Sequence, residues 1–220
     1  MNKPDIIERT ADHVRQVHSA DSSGHDWSHV DRVRKLAVRI GQAEGADLFV
    51  AELAALLHDI ADWKFHGGDE MAGPRAAREW LGVERPIVDQ VCDIIARLSF
   101  KGAGVADHMP TLEGQVVQDA DRLDAIGAIG IARTFAYGGH AGRALHDPAV
   151  PPQQHDTFEQ YKQGTGPSVN HFYEKLVLLR DRMNTVTARK IAEQRHEVMQ
   201  QFLEQFLREW NLDDVEELSD

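Results

Sequence analysis

The residues best suited to chemistry in this chain begin with an imidazole and a carboxylate side by side. His58-Asp59 closes the apolar run Leu53-Ala54-Ala55-Leu56-Leu57. Burying both beside so much aliphatic surface is costly unless each finds a partner. A divalent cation would satisfy the two together, and so would a hydrogen-bonded His–Asp pair at a helix end; the dipeptide alone leaves both open. Candidate ligands stand in two other places. His25-Asp26-Trp27-Ser28-His29 sets two imidazoles four residues apart, with His29 at the edge of an apolar stripe and His25 in the preceding loop. Gln118-Asp119-Ala120-Asp121-Arg122-Leu123-Asp124 carries three carboxylates on an otherwise apolar helix. Asp121, between Ala120 and Leu123, is expected to face inward, with Asp119 and Asp124 pointing elsewhere.

The elements that must position these groups all read as helices. The first covers Pro4 to about His18. A polar breaker at Ala20–Asp26 leads to a second helix from Trp27 or Ser28, with Val30, Val33, Leu36, Ala37 and Ile40 on one face and Gly41–Gly45 closing it. Asp47 is the expected N-cap of the third helix, which ends on His58-Asp59. A loop at Phe65–Glu70 and helices near Pro74–Leu81 and Pro86–Leu98 follow, then an irregular stretch at Ser99–Pro110. Helical pattern resumes near Leu112, runs through Ile126 and continues to Phe135, with Tyr137-Gly138-Gly139-His140 as a break. Ala141–Gly166 reads as a long surface loop or lid, longer than connections usually are. Helices at Ser168–Met183 and Thr187–Trp210 finish the chain, the latter with Ile191, His196, Met199, Phe202, Phe206 and Trp210 inward. The acidic tail at 211–220 is expected to fray. No stretch alternates as a strand would, so the expectation is all-α, a single-domain helical bundle.

Composition narrows the function. A net charge of -12 argues against long nucleic acid and anionic membrane as partners, both of which favour a basic face. It leaves room for a small phosphorylated substrate, because a metal and a few local cations can reverse the sign within one cleft. The lone cysteine, Cys92, rules out an intrachain disulfide and a thiolate cluster, and reads as a small buried thiol. The polar N-terminus has no signal-peptide core, and no window approaches the roughly 18 apolar residues of a membrane span. The expected location is cytoplasmic.

His, then His-Asp, then a distant Asp resembles the HD-domain superfamily of metal-dependent phosphohydrolases. The matching segments are GHDWSHVDRV at 24–33, LAALLHDIADWKFHGGDE at 53–70 and VVQDADRLDAIGAIGIARTFAYGGH at 116–140. HFYEKLVLLRDRMNT at 171–185 is similar to the small bacterial subgroup of that superfamily. The resemblance implies that His29, His58, Asp59 and Asp121 ligate one divalent ion, within a metal core of about 24–135 backed by C-terminal helices at about 168–210. Two imidazoles and two carboxylates suit Mn²⁺, Mg²⁺, Fe²⁺, Ni²⁺ or Co²⁺. The family's binuclear branch has Gly-Lys after His-Asp-Ile, where this chain has Ala61-Asp62, which favours one metal.

Roles around that ion follow from position. Asp59 is both ligand and catalytic candidate, and Asp62, one helical turn on, could take or position the proton of the attacking water. Lys64 and His66 could neutralise substrate phosphates, with His66 alternatively protonating the leaving group. Asp69 is a further acidic candidate or a turn residue. His25, Arg122 and Asp124 are supporting positions: Arg122 through an ion pair with Asp119, Asp26 or a phosphate, and Asp124 by holding a ligand histidine. Lys101, His108, Arg133, His140 and Arg143 could line a cleft, and Trp27, Trp63 and Phe65 could stack a base. The implied function is hydrolysis of a small phosphorylated metabolite, foremost a nucleoside or deoxynucleoside triphosphate with pyrophosphate released. A phosphodiesterase on cyclic or short oligonucleotides is one alternative, and a non-catalytic metal- or nucleotide-binding regulatory module another. The oligomeric state stays open, a homodimer being one form.

Overall fold

The computed structural model describes residues 2–19, 26–61, 66–98, 100, 104, 108–154, 157, 160 and 165–216. Among these residues the chain is all-α, without a strand. Its helices are α1 (Lys3–Val17), α2 (Trp27–Glu44), α3 (Leu48–Leu57), α4 (Ala72–Trp80), α5 (Arg85–Leu98), α6 (Leu112–Asp124), α7 (Gly127–His140), α8 (Asn170–Glu174), α9 (Val186–Asn211) and α10 (Asp213–Glu216), with a 3₁₀ segment at Leu176–Arg182. No helix of the described residues is long and apolar enough to cross a membrane.

The centre of the bundle is α3. Asp47 caps it by accepting from the Phe49 backbone N–H at 2.9 Å, and all of its residues from Phe49 to Leu57 except Glu52 are buried. A helix this apolar needs cover on every side, and α1, α2, α5 and α6 supply it. The second interior helix is α6, packed by α2, α3, α5, α7 and α9. Its polar residues are therefore buried as well: Gln118, Asp119, Arg122 and Asp124 are each less than 5% exposed.

The reading of one helix from Leu112 to Phe135 is corrected. The chain turns at Gly127, whose φ of +75° is a conformation that side chains disfavour. A Cβ there would also lie 3.0 Å from the Arg195 side chain on α9. Tyr137-Gly138-Gly139-His140, expected as a break, completes α7 instead. Gly138 is needed for close approach, since a Cβ at this site would fall 2.1 Å from Ser168 Oγ. Ser168–Met183 is not one helix: Lys175, at φ −141° and ψ −59°, separates α8 from the 3₁₀ segment. Leu176 and Leu179, three apart and both buried, serve either helix type, so the apolar pattern could not separate them. The described part of the long loop is tied to α8, with Asn170 Nδ2 donating to the Val150 carbonyl at 2.8 Å and Gln153 N–H to Glu174 Oε1 at 3.0 Å.

Phe135, Phe172, Phe202 and Phe206 interleave between α7, α8 and α9. Trp210 continues the stack but is 44% exposed, so the inner side of α9 ends a turn earlier than expected. The tail begins with one more turn, α10, after Leu212 at φ +64°; residues 217–220 lie outside the described residues.

Buried His196 on α9 yields a pH prediction. Burial, and then the charge of Arg180, pushes its pKa down, and its Nδ1 has no hydrogen-bond partner among the described residues. The unfolded chain therefore binds this proton more readily than the folded one. Stability from neutral His196 is full above the ordinary histidine value of about 6.5 and is lost as pH falls from there toward the lower folded-state value. Melting temperatures across pH 5–7 should decline on the acid side in the parent protein, and less steeply in His196→Phe.

Candidate metal centre

Three elements bring the chemistry together. Asp26 caps α2 by accepting from the His29 backbone N–H at 3.0 Å, which fixes the first turn and points the His29 ring into the core, where it is 1% exposed. His58 sits directly after α3 in helical conformation. α6 brings Asp121 and Asp124, one turn apart, to opposite edges of the His29 ring.

The Nε2 atoms of His29 and His58 lie 3.2 Å apart. Asp59 Oδ2 is 3.4 Å from the first and 3.5 Å from the second. Asp121 Oδ1 is 3.7 and 3.8 Å from the same two nitrogens. Ligand atoms of His29, His58 and Asp59 all fall within 4.8 Å of one another, a group able to hold a metal ion. Donors sharing an ion at about 2.1 Å stand roughly 3.0–3.4 Å from their neighbours; the two imidazoles meet that spacing, Asp59 lies at its edge, and Asp121 stands a few tenths of an ångström wider.

The hydrogen bonds behind the rings supply the stronger argument. His58 Nδ1 is 2.8 Å from the Ala55 carbonyl, an acceptor only, so this nitrogen carries the proton. His29 Nδ1 is 2.7 Å from Asp124 Oδ2, and an ionised Asp124 imposes the same tautomer. With both rings neutral, the two Nε2 lone pairs meet across 3.2 Å beside two carboxylates. Such an electron-rich set attracts a cation, either a metal ion or the proton that, against burial, the bonds to Asp124 and Asp59 favour on His29. The imidazoles form its closed back, and the partly exposed carboxylates, Asp59 at 15% and Asp121 at 32%, form its open side.

Asp124 is 1% exposed and held from three directions. Besides His29, Arg32 grips it with Nε to Oδ1 at 2.7 Å and Nη2 to Oδ2 at 3.1 Å. Arg133 Nη1 reaches Oδ2 at 3.1 Å. Burial alone would raise the pKa of Asp124; the bonds from His29 and Arg32 and the charge of Arg133 outweigh it and hold the carboxyl far below its ordinary range.

The expected orientation of the α6 carboxylates is corrected. Asp119 and Asp124 are more deeply buried than Asp121, because α6 has protein on all sides and "elsewhere" on it is still interior. Asp119 accepts from the Asn184 and Thr185 backbone N–H groups at 2.8 and 2.7 Å, and from their side chains at 2.9 and 2.8 Å. Arg122 donates to the Arg182 carbonyl, which ties α6 to the 3₁₀ segment. Asp69 is exposed, accepts from the Met71 backbone N–H at 2.9 Å and pairs with Arg75, which makes it a turn residue leading into α4. His66 is exposed on the turn that precedes Asp69. His25, Asp62, Lys64, Lys101, Trp63 and Phe65 lie outside the described residues. Arg32, one turn after His29 on α2, was missed by sequence reasoning, since its partner Asp124 lies 92 residues away in sequence.

The family model of the HD domain matches residues 26–126, a span that contains His29, His58, Asp59 and Asp121. The uncharacterized protein YpgQ of Bacillus subtilis is 43% identical over 195 residues, 87% of each chain. This chain belongs to the HD-domain family. Among solved structures, the HD-domain chain is similar to a Lactobacillus plantarum protein (42% identity, TM-score 0.83, 94% of this chain and 97% of that one). It is also similar to an HD-superfamily hydrolase from Bacillus thuringiensis (46% identity, TM-score 0.72, 96% and 99%). A third similar structure is B. subtilis YpgQ in complex with ADP (39% identity, TM-score 0.67, 90% and 97%). The protein is an HD-type hydrolase, and HD domains bind divalent metals.

Proposed function

We infer that this HD-domain protein hydrolyses a nucleoside or deoxynucleoside triphosphate with release of pyrophosphate, using one divalent ion held by His29, His58, Asp59 and Asp121. The observation that carries the metal is the pair of Nε2 atoms facing each other at 3.2 Å beside Asp59 and Asp121, with both Nδ1 atoms bonded elsewhere. Nucleotide specificity is supported by the similar YpgQ having been crystallised with ADP.

When bound, the ion would lower the pKa of a coordinated water and draw charge from phosphorus. The side chains do the rest. Asp124 and the Ala55 carbonyl keep His29 and His58 in the ligating tautomer. Asp59 and Asp121, on the open side, set where water and phosphate approach. Asp62 is assigned the proton of the attacking water, and Lys64 and His66 the substrate phosphates.

A panel of nucleoside mono-, di- and triphosphates and cyclic dinucleotides, assayed with Mn²⁺ and with product identification, tests the reading. Pyrophosphate from triphosphates supports attack at the α-phosphorus. Orthophosphate alone, or turnover confined to cyclic dinucleotides, overturns the proposed bond, and no turnover with any member favours the regulatory module. The site also joins α2, α3 and α6, so ion binding should stabilise the folded state. Adding EDTA to the metal-loaded protein should lower its melting temperature by several degrees in scanning calorimetry; an unchanged melt would count against the site.

A further inference from the structure

We propose that Arg32 is a positioning residue for the metal centre, acting through Asp124 on His29. The inference rests on the metal assignment above and extends it to a residue outside the four ligands.

Asp124 is a buried carboxylate whose value to the site lies in where its Oδ2 points. One hydrogen bond from His29 leaves a carboxylate free to rotate about its own axis and swing away. Arg32 removes that freedom, because its planar fork spans both oxygens, Nε on Oδ1 at 2.7 Å and Nη2 on Oδ2 at 3.1 Å. Two parallel bonds fix a carboxylate plane in a way that one ammonium cannot. Arg133 adds a bond to Oδ2 from α7 at 3.1 Å. The Arg32 fork belongs to the same helix as His29, three residues further on, so α2 delivers both the ligand and the group that aims its support. The chain of contacts runs Arg32, Asp124, His29 Nδ1, and the ring then presents Nε2 to His58 at 3.2 Å.

The geometry also explains an arginine that is 35% exposed turning its head inward rather than to solvent, in a chain whose acidic surface offers other partners. Supporting partners of this kind typically change metal affinity by about 10–100-fold.

The test is titration of Mn²⁺ into the full-length, EDTA-treated and dialysed protein by calorimetry, for the parent, Arg32→Met, Arg32→Lys and Asp59→Ala. The expected result is roughly tenfold weaker binding in Arg32→Met and only partial recovery in Arg32→Lys. Nitrogen-15 spectra of the metal-free variants provide a readout that general destabilisation would not move. At a pH where the His29 ring is neutral, it should be a single Nδ1–H tautomer in the parent and a mixture in Arg32→Met. Unchanged affinity and an unchanged tautomer in a folded Arg32→Met would overturn the proposal while leaving the metal site standing. Full recovery with lysine would also overturn it, since charge rather than the fork would then be sufficient. Absence of Mn²⁺ binding by the parent, or equal binding by Asp59→Ala, would overturn the metal assignment and the role of Arg32 with it.

Discussion

Asp59→Ala should lower kcat/KM for the hydrolysed nucleotide by at least about 10³-fold, equivalent to roughly 4 kcal/mol of transition-state stabilisation. Asp59 Oδ2 stands 3.4 and 3.5 Å from the two facing imidazole nitrogens and is the carboxylate that shares a mutual cluster with both. Without it the centre keeps two neutral donors and the more exposed Asp121, and loses half of the negative charge that offsets a divalent cation. The fold should tolerate the change. Asp59 lies in the turn after α3 and is 15% exposed, so no apolar cavity opens, and circular dichroism should match the parent. Steady-state kinetics at saturating Mn²⁺ check the prediction; activity within tenfold of the parent would remove Asp59 from the site.

Asp119→Ala should destabilise the protein by about 3 kcal/mol or more, because truncation leaves buried donors without an acceptor. Asp119 is fully buried and receives four hydrogen bonds from Asn184 and Thr185, the residues that lead into the 26-residue α9. The bonds join α6 to the start of α9 across 65 and 66 positions of sequence. Their loss loosens the start of α9 on α6, where the Arg122–Arg182 and Arg195–Leu123 bonds remain. In a chain of this size the change amounts to a fall in melting temperature of roughly 6–12 °C, and calorimetry of the metal-free variant measures it without interference from the ion. Asn184→Ala, which keeps both backbone donors to Asp119, should cost less.

The contrast between these two aspartates shows what the sequence could reveal. Helix positions were legible because apolar residues recur at helical spacing: α1, α4 and α5 fall within two residues of their expected bounds, and α2 starts where expected, though it stays helical through Gly41–Glu44 and closes only at Gly45. The meeting of His29, His58, Asp59 and Asp121 was readable only through resemblance, since sequence spacing says nothing about how three helices pack. Among the α6 carboxylates, Asp124 was legible as support for a ligand histidine, as its 2.7 Å contact with His29 Nδ1 shows, whereas the bonds of Asp119 to Asn184 and Thr185 were not. A helix covered on every side has no outward face, so the inward-or-outward logic that reads an amphipathic helix failed for Asp119 and Asp124. Gly127 was visible as a glycine, but its left-handed conformation becomes necessary only when Arg195 of α9 arrives beside it. Arg32 resembled any surface arginine on an otherwise amphipathic helix, until α6 placed Asp124 beside it.

Anomalous diffraction at the manganese edge from a Mn²⁺-soaked crystal should show one peak, within about 2.3 Å of His29 Nε2, His58 Nε2, an Asp59 oxygen and an Asp121 oxygen. A peak elsewhere, or none at this position with Mn²⁺ in excess, would contradict the metal assignment.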